Sequence, residues 1–564
     1  MKATKIFTAT LISLCLAGCD VLDKSDLNSL KDKDVWDNSA YATYYLDKLY
    51  RDNAPGWNDD IAGYSDEAEQ YGNNTLYGQL TMNSVNTWNY TNIRNINLLL
   101  QKVDGSALDD TQKQQLKGQA LILRAWRYFE MVRLYGGVPL LLTPQDLSEN
   151  LYVTRNKTSE CIAQINKDLE DAYSMLPWKW TGTDEGRYTK ATALALEGRI
   201  KLYYASAQFN PDDKLDRWED AYSVNKRAYE ELKDNGYALY GNYENIWFDE
   251  MNCEDVMVKR YYATGENLGY SNNWNAGTRP LSEAMNRTGK NHPTWNLVES
   301  YPMKDGKKVS ESADYDETHF WRNRDPRFAA SIAYNGCIWN LSGKLNRHQW
   351  TYEGSEGSHT SLTGFYCRKA VDETLTPTMS QFSSTDWVEI RYAEVMLNYA
   401  ECAAHVGKAD EAYSMLKQIR QRAGIEAGAD GMYGLKAGMQ KDDLVAAVLD
   451  ECKIELAFEG KRYWNLRRCR LFAKELNGKS RMGRLPHFAD GMSKDKLAEI
   501  ENTTDFDNDY TKYFHDEFYN TDRTYTIDFK DNYYFFAIPQ SQLQTNSKIE
   551  QTKGWEDGTF DPLL

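Results

Sequence analysis

WVEIRYAEVMLNYAE, from Trp387 to Glu401, is the stretch of this sequence that decides the predicted fold. A helix is expected over residues 387–405 and a second over 409–423, joined by the tight turn Val406-Gly407-Lys408. A glycine between two helical segments marks such a turn. The stretch therefore predicts a pair of helices packed side by side.

Earlier segments predict three more pairs of the same kind. In residues 35–51, apolar side chains recur at three- and four-residue steps, which is the period of an amphipathic helix. Gly198, Tyr203, Ala221 and Ala228 fall where packed helices need a small or flat residue, as in tetratricopeptide-type pairs of about 34 residues. The predicted fold class is mainly α, with four such pairs. Helices are expected over residues 35–51, 85–103, 112–134, 159–176, 190–208 and 218–234, and a longer one over 442–472.

Residues 236–386 differ from the helical segments on both sides. They are rich in Gly, Asn, Ser, Trp and Tyr, and short alternating runs such as residues 363–369 predict loops and small strands. A non-helical region this long inside a compact protein is usually functional, or its elements have been assigned wrongly. The predicted organisation is therefore helix pairs 1 to 3 (34–235), an irregular ligand-binding insertion (236–386), pair 4 (387–424) and a C-terminal helix and tail (425–564).

Composition excludes one class of function and favours another. The 564 residues carry 66 Lys and Arg against 83 Asp and Glu, a formal charge of −17, whereas nucleic-acid binders present a basic face. No nucleic-acid partner is expected. Aromatic residues make up 13% of the chain, with 16 Trp, 39 Tyr and 18 Phe. Tyr and Trp combine a flat apolar face with a polar atom, which suits the binding of amphiphilic ligands.

The N-terminus predicts an exported lipoprotein. Lys2 and Lys5 precede an apolar run over residues 6–16, which is too short to cross about 30 Å of hydrocarbon and is typical of a signal peptide. The sequence Leu16-Ala17-Gly18-Cys19 resembles a bacterial lipobox. Residues 1–18 are therefore predicted to be removed, with Cys19 lipidated and residues 19–33 forming an acidic tether to a membrane. The alternative is a chance cysteine after an ordinary signal.

Motifs for catalysis and cofactors are missing from the sequence. There is no H-E-x-x-H zinc helix, no G-x-S-x-G elbow and no phosphate-binding loop, so neither an enzyme nor a cofactor is expected. Asp505, Asp507 and Asp509 have the opening spacing of a calcium loop, but Tyr510 stands where the turn needs Gly. A solvated acidic loop is the favoured interpretation. Two opposed carboxylates of a glycosidase would leave no local signature, so hydrolysis stays an alternative.

At residues 387–401 the chain resembles the SusD/RagB family, the surface nutrient-binding lipoproteins of Bacteroidetes. Asn465 departs from the family, which often has Asp there. The resemblance implies a SusD-like fold with four tetratricopeptide-type helix pairs that pack against a TonB-dependent SusC-like barrel, and a ligand site built by the irregular segments. Further family-like pieces are Asn296-Leu297-Val298-Glu299-Ser300-Tyr301-Pro302, Arg324-Asp325-Pro326-Arg327-Phe328, Ile419-Arg420-Gln421-Arg422-Ala423-Gly424, residues 455–464, Ile538-Pro539-Gln540 and Gly554-Trp555.

The charged residues of these motifs are predicted to be structural. They lie on predicted helices, where charge pairs three or four residues apart and partners on neighbouring helices are within reach. Asp325-Pro326 is predicted to break a helix or start a turn, because the residue before Pro avoids the α region. The charged residues predicted to form scaffold salt bridges are Arg391, Glu394, Arg420, Arg422, Glu455, Glu459 and Arg462.

The candidate binding residues follow from the chemistry of sugars. A neutral sugar has a C–H face that stacks on an aromatic ring and a rim of hydroxyls that hydrogen-bond Asp, Asn and Arg side chains. Two irregular segments, 59–88 and 272–339, combine these residue types. The candidates are Tyr64, Asp66, Glu67, Asn73, Tyr77 and Trp88 in the first, Trp274, Trp295, Tyr301 and Trp321 in the second, and Arg368.

Several candidates have a structural alternative. Trp88 opens a predicted helix and is as suited to packing a repeat as to binding. Trp295 lies beside Asn296-Leu297-Val298 and suits a core position, and Asp66-Glu67 suits a helix cap. Trp274 is flanked by Asn272, Asn273 and Asn275, so it is expected to be exposed.

The expected function is capture of an oligosaccharide or polysaccharide and its delivery to a SusC-like barrel transporter. Three alternatives stay open. The same scaffold binds peptides in some RagB-like members, it serves as a structural lid of the transporter, or it hydrolyses a glycan.

Overall fold

The structure is a computed structural model that describes residues 32–564 except 59, 71, 147, 149, 265, 266 and 286–289. The predicted signal peptide and Cys19 lie outside these residues.

Helices make up most of the regular structure. Along the part of the chain that the structure describes, no helix combines the length and apolar character needed to cross a membrane. In chain order the helices are α1 (Asp32–Trp36), α2 (Ser39–Asn53), α3 (Tyr90–Asp104), α4 (Asp110–Tyr135), α5 (Thr158–Met175), α6 (Lys190–Ala205), α7 (Leu215–Asp234), α8 (Trp274–Thr278), α9 (Trp295–Ser300), α10 (Pro326–Ser331), α11 (Tyr392–His405), α12 (Ala409–Ala423), α13 (Lys441–Glu455), α14 (Lys461–Arg468), α15 (Phe472–Glu475), α16 (Lys494–Ile500), α17 (Phe506–Tyr513) and α18 (Gln540–Thr545).

The strands are short and pair antiparallel two by two. The pairs are β1 with β5, β2 with β10, β3 with β4, β6 with β9, β7 with β8 and β11 with β12. Their bounds are β1 (Ala68–Glu69), β2 (Asp255–Lys259), β3 (Tyr262–Thr264), β4 (Asn267–Tyr270), β5 (His292–Pro293), β6 (Ile332–Ala333), β7 (Cys337–Ile338), β8 (His348–Gln349), β9 (Tyr366–Cys367), β10 (Trp387–Arg391), β11 (Met482–Phe488) and β12 (Phe514–Asn520).

The mainly helical fold with four helix pairs is confirmed. α2 packs on α3, α4 on α5, α6 on α7, and α11 on α12, while α11 also packs on α7 and α13. Helix α6 is buried on nearly every face, which is the position of a central helix. A Cβ on Gly198 would lie 2.6 Å from Asn225 Oδ1, and Asn225 Nδ2 donates to Gly198 O at 2.9 Å. Gly198 therefore lets α7 approach α6 closely.

The bounds of several predicted helices are wrong, and the helix expected over 85–103 begins only at Tyr90. Residues 387–391 form β10, which pairs with β2, so α11 begins only at Tyr392. The run is buried on both faces and rich in residues that suit a strand, and its partner lies far away in sequence. The single helix expected over 442–472 is broken into α13, α14 and α15. Gly460, at φ 71°, adopts a left-handed conformation that no helix interior accommodates.

The prediction that the motif charges are structural is confirmed. Arg391 contacts Glu254 and Glu455 at 2.6 Å and Glu459 at 2.9 Å, and Glu394 pairs with Arg199 at 2.6 Å. The remaining motif charges are also paired: Arg420 with Glu451, Arg422 with Glu254 and Glu455, and Arg462 with Asp66 and Glu475. Asp325 caps α10, and Pro326 stands in the first turn of that helix. These buried ion pairs join the insertion to the helix pairs.

Candidate functional site

The tryptophans expected to form a binding face are largely packed inside the insertion. Trp274 is 2% exposed, stacks on Trp57 with ring centroids 4.5 Å apart, and donates from Nε1 to Lys369 O at 3.1 Å. The expectation that Trp274 is exposed is wrong. Two of its three asparagine neighbours are buried and hydrogen-bonded: Asn272 Nδ2 donates to the Ser383 and Thr385 carbonyls, and Asn275 Oδ1 accepts from Asp372 N.

The other candidates of the second segment also face the interior. Trp295 packs edge-on against Phe320 and Phe518, and the Arg484 guanidinium lies 4.9 Å from its ring centroid. Trp321 stacks on Tyr334 at 5.0 Å and donates to Asp507 Oδ1. Tyr301 is fully buried. These three aromatic side chains belong to one hydrophobic cluster that also contains Phe328 and Phe365, and they present no open face for stacking.

Four candidates of the first segment are buried, and each is hydrogen-bonded or ion-paired to other parts of the chain. Asp66 accepts from Arg462 Nε at 2.8 Å and Lys453 Nζ at 2.9 Å, and although burial opposes ionisation, these cations hold its pKa well below the usual value. Glu67 accepts from Phe458 N, and burial raises its pKa to about 8. Asn73 Nδ2 donates to Gly63 O at 2.7 Å, Asn73 Oδ1 accepts from Leu76 N at 3.2 Å, and Tyr77 donates to Asp522 Oδ1 at 2.6 Å. Their contacts are those of structural residues.

Tyr64 and Trp88 are half-buried. Trp88 packs edge-on to Tyr135 with centroids 5.7 Å apart, and Tyr64 packs against Tyr463 at 5.6 Å. Both pack against the large hydrophobic cluster that includes Leu46, Leu99 and Leu123. The contacts of Trp88 are therefore those expected of a residue that packs a helix repeat.

A cavity of about 670 Å³ brings together a different set of residues, and Arg368 is the sequence candidate that lines it. We name it the Phe248 cavity. Its walls come from the turn after α7, the loop after β9 and the residues before β10. The lining includes Tyr243, Glu244, Asn245, Trp247, Phe248, Glu250, Asn340, Arg368, Lys369, Asp372, Glu373 and Thr385.

Arg368 is held at the wall by its carboxylate neighbours. Its Nη2 atom donates to Glu373 Oε1 at 2.9 Å and lies 3.7 Å from Glu244 Oε1, and Nη1 donates to Ile338 O at 3.2 Å. Among the described residues, the buried Nε atom of Arg368 has no hydrogen-bond partner. The side chain is thus positioned and retains a free donor.

The floor of the cavity is tied to the buried ion pairs. Lys369 Nζ donates to Glu459 Oε1 and, at 3.1 Å, to Glu455 O, and it lies 5.0 Å from the centroid of the Tyr243 ring. Burial lowers the pKa of Lys369 despite these carboxylates. Arg391 shares both glutamates. Such a satisfied network fixes the floor in one arrangement.

The rim combines one open ring with planar polar groups. Phe248 is 40% exposed, and Asn245, Asn340 and Arg368 are half-buried beside it along the lining. An exposed ring can stack on an apolar face, while amide, guanidinium and carboxylate groups give directional hydrogen bonds. Sequence reasoning missed Phe248 and Asn245. The available signal was an apolar pair, Trp247-Phe248, inside a run of Asn, Glu and Asp.

The acidic stretch considered for calcium is used otherwise. Asp505 caps α17 by accepting from Asn508 N, and Asp507 pairs with Arg322 at 3.0 Å. Across the described ranges, no group of three or more His, Cys, Asp and Glu side chains is placed to hold a metal ion.

Comparison with known families identifies the family of this chain. Residues 215–555 match the family model described as the SusD family, which is more than half of the chain. The chain belongs to the SusD family. Residues 24–202 match a second model, described as starch-binding associating with outer membrane.

Individual SusD-like proteins agree with this assignment. SusD-like protein P2 of Formosa agariphila is 25% identical over 388 residues, which cover 67% of this chain and 70% of the relative. A SusD-like protein of Bacteroides fragilis shares the fold with a TM-score of 0.74 at 24% identity, covering 94% of this chain and 100% of its own. A second structure from that species, described as a SusD-like carbohydrate binding protein, has a TM-score of 0.71 at 22% identity, covering 91% and 99%.

Proposed function

We propose that this SusD-family chain is a lipid-anchored protein of the cell surface that captures an oligosaccharide or polysaccharide in the Phe248 cavity. It then delivers the glycan to a TonB-dependent SusC-like barrel in the outer membrane. No covalent step is part of the function.

The observation that carries this proposal is the combination of ring and polar rim in one open cavity. The exposed Phe248 ring offers a stacking face, and Arg368, Asn245 and Asn340 lie along the same lining. This is the pairing of surfaces that a sugar ring requires. The carbohydrate-binding relative with the same fold supports the ligand class, and the family model that names the outer membrane supports the location.

Titration calorimetry with a panel of oligosaccharides tests the ligand class. The purified chain is titrated with fragments of α-glucan, β-glucan, xylan and mannan, and the tightest is taken forward. Phe248→Ala is expected to weaken that binding at least about tenfold, which corresponds to about 1.4 kcal/mol. Loss of a stacked ring and its buried area accounts for an effect of this size.

Phe518→Ala is the matched control, because Phe518 is 43% exposed but lies on β12, away from the cavity lining. It is expected to leave affinity within about twofold. Heat with peptides and none with glycans would contradict the proposal and favour peptide capture. No binding of either class would favour a structural lid, and release of cleaved products would favour hydrolysis.

Delivery is tested by isolating the chain from outer membranes with its lipid intact. A barrel protein is expected to co-purify, and Phe248→Ala is expected to reduce glycan uptake without disturbing that association. An unchanged uptake rate would separate the cavity from transport.

A further inference from the structure

A second cavity, of about 460 Å³, lies beside the first. We name it the Tyr270 cavity. Its walls come from α2, the 183–187 loop, β2 and the end of β4. The residues that carry the argument are Arg51, Arg187, Lys259, Arg260, Tyr261 and Tyr270.

The charge of this lining is opposite to that of the whole chain. Four cationic side chains line the cavity, against the two carboxylates Asp47 and Glu185, in a chain of formal charge −17. Three of these cations are engaged in ion pairs: Arg51 with Asp52 at 3.4 Å, Arg187 with Asp47 and Asp184 at 2.8 and 2.6 Å, and Arg260 with Glu250 and Asp386. The local excess of positive charge therefore lies with the fourth.

Lys259 is the cation without a counter-ion. It is half-buried, and within the described part of the chain no carboxylate lies within ion-pair distance of its Nζ atom. Its polar contact is a long one of 3.4 Å to Ala54 O. Burial, reinforced by the nearby Arg127, lowers the pKa of this ammonium group. A desolvated cation of this kind gains most from an anionic partner.

Two tyrosines accompany this cation. Lys259 Nζ lies 5.7 Å from the Tyr261 ring centroid, and a Cβ on Gly56 would lie 2.3 Å from Tyr261 Oη and 3.5 Å from Lys259 Nζ. The Tyr261 hydroxyl therefore fills the space that Gly56 leaves, and the Lys259 ammonium lies beside that space. Tyr270 is 51% exposed and hydrogen-bonds Arg51, so its ring offers a stacking face at the mouth.

One ion pair connects the linings of the two cavities. Glu250 lines the Phe248 cavity, Arg260 lines the Tyr270 cavity, and their side chains meet at 3.1 Å from Oε2 to Nη2. The linings of the two cavities are therefore in direct contact through this ion pair.

From this arrangement we infer that the Tyr270 cavity is a subsite for an acidic sugar unit, with Lys259 binding its carboxylate or sulfate group and Tyr270 stacking on its ring. The inference rests on the proposed glycan capture and adds that the captured glycan is anionic.

Paired ligands test the acid group directly. The chain is titrated with uronate-containing oligosaccharides and with the same oligosaccharides after carboxyl reduction, and with sulfated oligosaccharides and their desulfated forms. At least one acidic member is expected to bind ten times or more tightly than its neutral partner. The preference is expected to shrink as salt rises from 50 to 500 mM, because added ions screen the contact. If the uronate pair shows the preference, the bound acid group is a carboxylate. If the sulfated pair shows it, the bound group is a sulfate.

Lys259→Met is expected to reduce that preference to less than threefold, and Lys259→Arg to keep most of it. Lys190→Met is the matched control, because Lys190 is also half-buried beside a tyrosine ring, at 5.1 Å from Tyr173, and lies outside both cavities. It is expected to leave the preference unchanged.

The result that would overturn the inference is equal binding of every acidic and neutral pair, or a preference that survives Lys259→Met. Neutral glycans bound in a Phe248-dependent manner with no acid preference would leave the proposed function intact and remove this inference alone. Absence of any glycan binding would remove both.

Discussion

The interior of the insertion and the rim of the Phe248 cavity use the same residue types in opposite ways. In the interior, Trp274 is buried and stacked on Trp57. The Arg327 guanidinium is fully buried, and its nitrogen atoms lie 2.7 Å from carboxylate oxygens of Asp325, Glu451 and Glu455. At the rim, Phe248 is open and Arg368 faces Glu373 with a fifth of its side chain exposed. Burial, rather than residue type, separates the side chains that stabilise the fold from those that can contact a ligand.

The largest expected effect comes from the buried arginine. Arg327→Ala is expected to lower the free energy of unfolding by about 3–5 kcal/mol, because it removes the cation that pairs with buried Asp325 and that also shares buried Glu451 and Glu455 with other arginines. Urea denaturation followed by circular dichroism measures this. An effect below about 1 kcal/mol would show that the interior pairs are no different from surface pairs.

Trp274→Ala is the matching test for the rings. Loss of a buried tryptophan and the cavity left behind are expected to cost about 3–5 kcal/mol of stability, measured by the same denaturation. If stability were unchanged while glycan affinity collapsed, Trp274 would be a binding platform after all, and the comparison between interior and rim would fail.

A smaller effect is expected from the pH dependence at Glu67. Burial raises the pKa of this carboxyl to about 8 in the folded chain, above the usual value near 4.5 in the unfolded chain. The folded state therefore retains the proton longer, and stability falls as pH rises from about 5 to 8. Glu67→Gln is expected to remove at least about 1 kcal/mol of that fall, since one pKa unit corresponds to about 1.4 kcal/mol. Parallel stability curves for the two proteins would contradict this.

The smallest stability effect is expected at the rim. Arg368→Ala is expected to change the free energy of unfolding by less than about 1 kcal/mol, as for other partly exposed ion pairs, yet to weaken the glycan identified by titration. Arg368→Lys retains the charge without the planar fork and is expected to restore stability but only part of the affinity. A loss of stability comparable to that of Arg327→Ala would place Arg368 with the interior.

The helix pairs could be predicted because their signal is local. A period of three to four residues is written within each segment, and so is the turn at Gly407. The strand β10 was missed because its partner, β2, lies more than a hundred residues earlier. The break at Gly460 was missed because an isolated glycine does not by itself show a left-handed conformation.

By itself, the sequence of this protein determined the family, the four helix pairs and the structural use of the motif charges, since each depends on spacing along one segment or on residues kept in a recognisable order. Only the tertiary structure decided which rings are open. Trp274 is covered by Trp57, and its asparagines are satisfied by backbone from residues 372–385, whereas nothing comparable covers Phe248 among the described residues. Exposure is a property of contacts between distant parts of the chain, and no local pattern records it.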